Sequence, residues 1–282
     1  MHNNKITFFE LIAQIEKKYT NKNINNSLIY FFSQKVKNLT DLLVYRNEPI
    51  DFDYNELMIA LDDYYNKHKP LTTITKQRHF NGINLKVFDK VHYPRNETEL
   101  LAEKIEEILA KDSTLNSLID ICAGTGNLGI SIKSHFPKLR LSLLDIDTNA
   151  INNIRFNLDN NKLEARIINQ DFFEFIKTNT EKYDVIVFNP PYVKKEELDQ
   201  EMIKFENKIS FSNSDNPLEF YKVLLSSLDK VTNSKHYLIG IEFGYDQKQD
   251  LEKILKSVNL LQFSRFYKDL NNQDRFLIIY RK

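Results

Sequence analysis

The sequence predicts an α/β protein in which a helical N-terminal part precedes a Rossmann-like sheet. Over the first 80 or so residues, apolar side chains recur three and four positions apart, which is typical of amphipathic helices. An alternating stretch with an Asn81-Gly82 turn follows and indicates a β-hairpin. From residue 116 onward, short apolar strands alternate with helical segments, as in a parallel sheet with helices on both faces. We therefore expect a helical domain at 1–77, a hairpin linker at 78–93 and an α/β domain at 94–282.

Three apolar stripes indicate the helical part. They are carried by Phe8, Leu11, Ile12 and Ile15, then by Leu28, Phe31, Phe32 and Val36, and then by Leu57, Ala60, Leu61 and Tyr64. Stripes of this kind form a buried core, so they predict a small bundle and point to no catalytic residue.

In the α/β part, the pattern predicts seven strands. They are expected at 118–122, 141–145, 165–168, 183–188, 237–242, 260–267 and 275–280. Helices are expected at 97–111, 128–135, 149–158, 218–228 and 251–258. Because no helix separates the last two strands, we expect an antiparallel hairpin at one edge of the sheet. The polar segment 194–217 is either a lid that orders on a partner or a surface loop.

Composition excludes several classes of protein. Lys and Arg total 39 and so do Asp and Glu, which argues against a protein that coats nucleic acid or lies on anionic lipid. With Cys122 as its one cysteine, the chain has no disulfide framework and no cysteine-based zinc site, so a cytoplasmic setting is the expectation. The sequence shows neither a signal peptide nor a membrane span. We expect no resident metal, and read all six histidines as surface or packing residues.

A glycine-rich turn is the first motif that could carry chemistry. Gly124, Gly126 and Gly129 follow a strand and open a helix. Glycines let the backbone turn sharply and approach a ligand closely, and helix N-terminal N–H groups bind phosphates in dinucleotide folds. Taken alone, this spacing is also met in α/β proteins that bind no nucleotide.

An acidic residue ends the next strand. Asp145 stands 19 positions after Gly126, where a carboxylate accepts hydrogen bonds from the ribose hydroxyls of a nucleoside. Asp147 is an alternative, although we expect it to cap the following helix. Enzymes that use NAD and enzymes that use S-adenosylmethionine share this arrangement.

The tetrapeptide Asn189-Pro190-Pro191-Tyr192 decides between NAD and S-adenosylmethionine as the expected cofactor. It follows the fourth strand, at the end of the sheet where open α/β folds bind ligands. The two prolines fix φ and donate no N–H, so the carbonyls there can act as rigid acceptors. With the Asn189 side chain and the Tyr192 ring, they form a clamp suited to a planar NH₂ group. A clamp of this kind suits methylation of an amide or an exocyclic amine.

These residues resemble those of the S-adenosylmethionine-dependent amino-methyltransferases, and more narrowly the HemK/PrmC family of release factor glutamine N5-methyltransferases. Further stretches match that family in order and spacing from about Lys69 to the end. They are Lys69-Pro70-Leu71 with Phe80, the stretch 94–99 (Pro-Arg-Asn-Glu-Thr-Glu), 170–173 (Gln-Asp-Phe-Phe), Phe205-Glu206, and 269–275 with Asp269, Asp274 and Arg275. Asn96 and Asn207 depart from the family by replacing prolines near the expected substrate loop, which bears on partner fit more than on chemistry.

The resemblance implies a five-helix N-terminal domain that docks the partner, a seven-stranded methyltransferase domain, and S-adenosylmethionine as cofactor. It also implies a substrate: the glutamine in the Gly-Gly-Gln loop of class-1 peptide chain release factors, which act in translation termination. By position, the residues around the methionine part of the cofactor are Cys122, Ala123, Gly124, Thr125 and Gly126. Asp145 would hold the ribose and Phe172 would flank the adenine. Asn189, Pro190, Pro191 and Tyr192 would clamp the substrate amide, with Asn189 also touching the cofactor and with Asn189, Pro190 and Tyr192 as the catalytic residues.

Several alternatives stay open at the level of sequence. The same clamp would serve N-methylation of an exocyclic base amine in RNA or DNA, or of a ribosomal-protein glutamine. The chain could also be a non-catalytic binding module or an NAD-dependent dehydrogenase. A dehydrogenase, however, would have no use for the Asn-Pro-Pro-Tyr clamp. We expect a monomer that binds no nucleic acid directly. Glu242, at the end of a strand, could be a site residue, but a glutamate at a sheet end is more often solvated, so we leave it out of the predicted site.

Overall fold

The computed structural model describes residues 6–19, 44–49, 54–67, 69, 74–194, 204, 206–211, 216–233 and 235–282. The chain separates into two compact units, Met1–Gln77 and Arg78–Lys282. No helix in these described ranges is both long enough and apolar enough to cross a membrane.

The described part of the first unit is helical. Helix α1 spans Phe8–Lys18 and helix α2 spans Tyr54–Tyr65. Thr7 and Glu10 form a capping box at the start of α1, in which the Thr7 hydroxyl accepts the Glu10 N–H and the Glu10 carboxylate accepts the Thr7 N–H. Among the described residues of this unit, a buried cluster contains Phe8, Leu11 and Ile15 of the first predicted stripe, Leu57 and Leu61 of the third, and also Tyr19 and Tyr65. The stripe from Leu28 to Val36, like Pro70 and Leu71, lies outside the described residues.

The second unit begins with the hairpin and continues as an α/β domain. Its strands are β1 (Gln77–Phe80), β2 (Ile83–Lys86), β3 (Ser117–Ile121), β4 (Arg140–Asp145), β5 (Arg166–Asn169), β6 (Val185–Phe188), β7 (Tyr237–Glu242), β8 (Ser264–Lys268) and β9 (Asp274–Arg281). Its helices are α3 (Asn96–Leu109), α4 (Asn127–His135), α5 (Thr148–Asn160), α6 (Phe172–Thr178), α7 (Leu218–Ser226), α8 (Leu228–Val231) and α9 (Lys248–Ser257). Short 3₁₀ turns cover Lys208–Ser210 and Leu261–Phe263.

In the part of the chain that the structure describes, seven strands form one sheet in the order β5-β4-β3-β6-β7-β9-β8. The first five are parallel, and β9 runs antiparallel to both β7 and β8. Strand β3 pairs with β4 on one side and with β6 on the other. Because the chain leaves β3 first in one direction and later in the other, a crevice opens at the carboxyl ends of β3 and β6, where such sheets bind ligands.

The α/β prediction is confirmed, and the terminal antiparallel hairpin is present as β8 and β9. Asn81 and Gly82 make the predicted turn, both with positive φ (41° and 85°). Helix α6 was not predicted, because it is short and begins with aromatic residues. It is started by Asp171, whose carboxylate accepts the N–H groups of Phe173 and Glu174. The helix predicted at 218–228 is divided into α7 and α8 at Ser227.

Two apolar layers cover the two faces of the sheet. Ile119 and Ile121 of β3 belong to one layer, which contains the rings of Phe188, Phe220 and Phe243. Leu118, whose side chain points to the opposite face, belongs to the layer formed by α3, α4 and α5. Since these layers hold the strands rigidly, the loops at their carboxyl ends have fixed starting points.

Candidate active site

A cavity lies at the carboxyl ends of the parallel strands. Its wall includes almost every residue predicted to act: Cys122, Ala123, Gly124, Thr125, Asp145, Phe172, Asn189, Pro190, Pro191 and Tyr192. Gly126 is not among the lining residues and is the N-cap of α4. The loops after β3, β4, β5 and β6 thus converge on one space, although they come from positions up to 70 residues apart.

The loop after β3 is a tight turn with left-handed backbone. Cys122, Gly124 and Gly126 have φ values of 59°, 56° and 79°. At Gly126, a Cβ would stand 2.6 Å from Cδ1 of Ile130, so this position accepts only glycine without rearrangement. The Gly126 N–H donates to the Ala123 carbonyl over 2.7 Å, which closes the turn. The turn therefore brings backbone rather than bulky side chains to the cavity.

Asp145 is held at the end of β4 by backbone donors. Its Oδ2 accepts the Gly124 N–H and its Oδ1 accepts the Asp147 N–H, at 2.8 and 2.9 Å. Burial raises the pKa of this carboxyl. Each oxygen retains acceptor capacity, so the group can also bind two hydroxyls of a ligand in the cavity. Asp147 caps α5 through the Asn149 N–H, as predicted.

Phe172 lines the cavity but is otherwise buried. The ring is 4% exposed and stacks on Phe188 and Phe220, with centroid distances of 5.2 and 5.5 Å. It therefore forms an apolar floor at this end of the cavity. The neighbouring Gln170, Asp171 and Ile146 complete the lining there.

The Asn189-Pro190-Pro191-Tyr192 segment forms another part of the wall. Pro190 and Pro191 are buried, while Asn189 and Tyr192 are half-buried. Within the described residues, no group hydrogen-bonds to the Asn189 side-chain amide. The Tyr192 hydroxyl donates to Glu242 Oε1 over 3.1 Å, and the Tyr192 carbonyl accepts from Gln247 Nε2 over 3.0 Å. Tyr192 is thus held at both ends, whereas the amide of Asn189 is available to a ligand.

Of the two alternatives for Glu242, the solvated one is wrong. Its side chain is buried, at 1% exposure, and its second oxygen accepts the Thr98 hydroxyl over 2.7 Å. Burial raises the pKa of this carboxyl. Its sequence position held the relevant information, because Glu242 ends an apolar strand just as Asp145 does.

Sequence reasoning also missed a charged cluster beside the cavity. His92 and Arg95 line the cavity, and both contact Glu206, with Nδ1 of His92 2.7 Å from Oε2 and a guanidinium nitrogen of Arg95 2.5 Å from Oε1. Burial alone would raise the pKa of Glu206, but His92 and Arg95 hold it below its ordinary value. The reading of His92 as a surface or packing residue is therefore incomplete. Phe205 lies outside the described residues.

The other described histidines lie away from this cavity. His79, His135 and His236 contact Asn84, Glu106 and Asp112, respectively. His2 and His68 fall outside the described residues. In the described ranges, no group of three or more metal-ligating side chains comes together.

Asn96 and Asn207, the two residues that depart from the family pattern, each form a side-chain hydrogen bond. The Asn96 side chain accepts a hydrogen bond from Arg78. Asn207 donates through Nδ2 to Asp147 Oδ2 over 3.0 Å, which ties the 206–211 segment to the loop after β4. The same segment contacts the clamp, since the Val193 N–H donates to the Phe211 carbonyl over 3.0 Å. Residues 195–203 and 212–215 are outside the described ranges.

Comparisons with known proteins identify relatives of this chain. A family model described as the methyltransferase small domain matches residues 94–208. The chain is 29% identical over 282 residues to the release factor glutamine methyltransferase of Mycoplasma mycoides, covering 97% of this chain and 98% of that protein. To the enzyme of the same name from Fusobacterium nucleatum it is 30% identical over 274 residues, covering 93% of this chain and 75% of that protein.

A solved structure supports the fold. The 16S rRNA methyltransferase from T. thermophilus, in complex with AdoMet and guanosine, matches with a TM-score of 0.51 at 14% identity, covering 73% of this chain and 50% of that chain. At 14% identity, the match supports a similar fold and nothing about function.

Proposed function

The chain belongs to the family of release factor glutamine methyltransferases, and we propose that it methylates the side-chain amide nitrogen (N5) of the glutamine in the Gly-Gly-Gln loop of class-1 peptide chain release factors. Its cofactor is S-adenosylmethionine. The observation that carries the proposal is the clamp: the Asn189 amide, free of partners among the described residues, lies beside the Pro190 and Pro191 backbone and the Tyr192 ring.

We propose that different parts of the cavity bind different parts of the cofactor. We assign the backbone of 122–126 to the methionine part, Asp145 to the ribose hydroxyls and Phe172 to the adenine end. This assignment rests on the place of the Asp145 carboxylate in the cavity wall and on the left-handed turn formed by the residues after β3. When bound, S-adenosylmethionine supplies a methyl group on a positively charged sulfur, which retains the electron pair of the broken bond.

We assign the substrate amide to Asn189, Pro190 and Tyr192. Carbonyl oxygens at the first two positions accept the two N–H hydrogens, and the Tyr192 ring packs on the plane of the amide. The nitrogen supplies the electron pair of the new bond and afterwards gives up one proton, which water can accept. Because an amide nitrogen is a weak nucleophile, its positioning must supply much of the rate; well-oriented reactions gain up to about 7–11 kcal/mol in this way.

The clamp alone would also accept an exocyclic base amine. Enzymes that methylate bases rely on a basic face and on a means of extruding the base. The balanced charge of this chain, with 39 basic and 39 acidic residues, favours the protein substrate instead. The proposal places the enzyme in the cytoplasm, where release factors act on ribosomes.

Transfer of a labelled methyl group from S-adenosylmethionine tests this function. The acceptors are a purified class-1 release factor, the same factor with its loop glutamine changed to alanine, total RNA, and DNA. We expect label on the intact factor alone. Label on RNA or DNA would overturn the assignment of the partner, and equal label on the alanine-substituted factor would overturn the assignment of the glutamine.

A further inference from the structure

Four residues behind Tyr192 come from three distant parts of the sequence. Thr98 lies in the first turn of α3, Glu242 ends β7, Gln247 follows in the next loop, and Arg275 begins β9. Thr98, Glu242 and Gln247 are 1%, 1% and 4% exposed, so they cannot contact a protein substrate directly. We call these four residues the Tyr192 frame.

The frame holds Tyr192 at three places. Glu242 accepts its hydroxyl over 3.1 Å, and Gln247 donates to its carbonyl over 3.0 Å. The Arg275 guanidinium lies over its ring, 5.9 Å from the centroid. Because Arg275 covers one face of the ring, the other face is the one left to pack on a planar amide.

Each member of the frame is itself fixed. The second oxygen of Glu242 accepts the Thr98 hydroxyl over 2.7 Å. Gln247 Oε1 accepts the Gly244 N–H over 3.0 Å, and Arg275 donates to Asp269 and to the Phe243 carbonyl, both over 3.2 Å. Burying a carboxylate is costly unless it is hydrogen-bonded or paired with a charge. At Glu242 the hydrogen-bond donors are the hydroxyl groups of Thr98 and Tyr192, which the carboxylate in turn orients.

We propose that the Tyr192 frame is a positioning device that sets the plane of the Tyr192 ring, and through it the orientation of the substrate amide for methyl transfer. This inference rests on the proposed function, because the ring is useful in this way only if it packs on an amide. It gives a role to Thr98 and Arg275, which the clamp itself leaves unexplained. Glu242, Thr98 and Gln247 are positioning residues, since they act through Tyr192.

The test compares Glu242→Leu with Glu242→Gln. Leucine is similar in size but accepts no hydrogen bond, whereas glutamine can accept from one hydroxyl and donate to the other. We expect Glu242→Leu to lower kcat about 100-fold, the loss typical of a misplaced reacting group. The dissociation constant for S-adenosylmethionine and the KM for the release factor should stay within about threefold of wild type, since no contact made by Glu242 reaches either ligand. Glu242→Gln should keep kcat within about tenfold of wild type.

A matched control is Asp112→Asn. Asp112 is also a buried carboxylate that accepts from hydroxyl groups, but it lies at the opposite end of the sheet. Its substitution should lower the melting temperature and leave kcat unchanged. A loss of kcat in Asp112→Asn equal to that in Glu242→Leu would overturn the proposal, because the effect would then be one of general stability.

Crystal structures of the Glu242→Leu variant test the frame without relying on turnover. We expect the Tyr192 ring to leave its wild-type plane or to occupy two rotamers. An unchanged ring would overturn the positioning role, whether or not the wild-type enzyme methylates a release factor. An inactive wild-type enzyme with a displaced ring in the variant would instead overturn the proposed function and keep the frame.

Should Glu242→Leu fail to fold, Thr98→Val takes its place. This isosteric change removes one of the two donors to Glu242 and keeps the packing of α3. We expect kcat to fall about three- to tenfold with cofactor affinity intact. A wild-type kcat in folded Thr98→Val, with Tyr192 in its original position, would overturn the frame as described.

Discussion

Two groups of acids near opposite ends of the central sheet differ in the hydrogen-bond donors that surround them. At the amino ends of the strands, Asp112 accepts from Thr114, His236 and Tyr280, and Asp184 from Ser117, Asn116 and Asn233. These donors outweigh burial, which alone would raise the pKa of each group, so both pKa values lie below the ordinary one. At the carboxyl ends, burial raises the pKa of Asp120, Asp145 and Glu242.

This difference in pKa shifts indicates which end of the sheet contributes to stability and which end is adapted for binding. An acid surrounded by donors contributes to stability in its charged form. An acid with few donors at a cavity is left with acceptor capacity that a ligand can use. Asp145, whose pKa is raised and which lies on the cavity wall, is of the second kind. Substitutions at the two ends should therefore separate catalysis from stability.

The largest expected effect is that of Asn189→Ala at the carboxyl end. Removing this amide takes away one acceptor for the substrate and should lower methyl transfer by about 1,000-fold, the upper end for loss of one preorganised hydrogen-bonding group. The fold should persist, since no described group depends on the Asn189 side chain. Turnover with the labelled cofactor measures this effect. Asn116→Ala, at the amino end of β3, is the control, and a near-normal rate in Asn189→Ala would contradict the clamp.

Asp145→Ala should weaken cofactor binding. The loss of hydrogen bonds from the ribose hydroxyls to a charged group is equivalent to about 1.5–3 kcal/mol. Calorimetric titration with S-adenosylmethionine measures it, and Asp184→Asn serves as the amino-end counterpart with unchanged affinity. If the dissociation constant of Asp145→Ala equalled that of wild type, the ribose would have to be bound elsewhere, with Asp147 the next residue to test.

Asp112→Asn should affect stability alone. The carboxylate accepts from three side chains, and weakening these bonds should lower the free energy of unfolding by about 1–3 kcal/mol. Urea denaturation measures the change, while the turnover number should match wild type. Wild-type stability in this variant would show that the amino-end cluster is dispensable and would remove the contrast between the two ends.

The smallest expected effect is a difference in pH dependence between the two ends. Because the pKa of Asp112 is lowered by folding, its contribution to stability is complete above about pH 4 and is lost as the pH falls further. Burial raises the pKa of Asp120 to about 7, so its contribution is complete below about pH 4 and is lost as the pH rises toward 7. As the pH rises from about 4 to about 7, the free energy of unfolding of the wild type should therefore fall relative to that of Asp120→Asn. Parallel denaturation curves for the two proteins would contradict the assignment.

Much of the fold could be predicted because its signals are local. The strands are short apolar runs, and the Asn81-Gly82 turn has the backbone that its residues favour. Helix α6 was not predicted, because its start depends on the Asp171 cap and it packs on aromatic rings that are distant in the sequence.

The candidate site divides in the same way. The glycine-rich turn, Asp145 and the clamp are continuous motifs, and the structure brings them to one cavity. The sequence marked Glu242 as the end of an apolar strand and Glu206 as part of a family-matched stretch, but it did not reveal what they contact. Their partners, such as Tyr192, Thr98 and Arg95, lie 50 to 144 positions away. Only the packed sheet makes such pairs neighbours.

The central claim is that the clamp presents one glutamine amide for methylation. Tandem mass spectrometry of a class-1 release factor, incubated with the enzyme and S-adenosylmethionine, tests it most directly. We predict a single added methyl group on the side-chain amide of the Gly-Gly-Gln glutamine, absent when Asn189→Ala replaces the wild-type enzyme. A methyl group on any other residue, or an unmodified factor beside methylated RNA, would contradict the account.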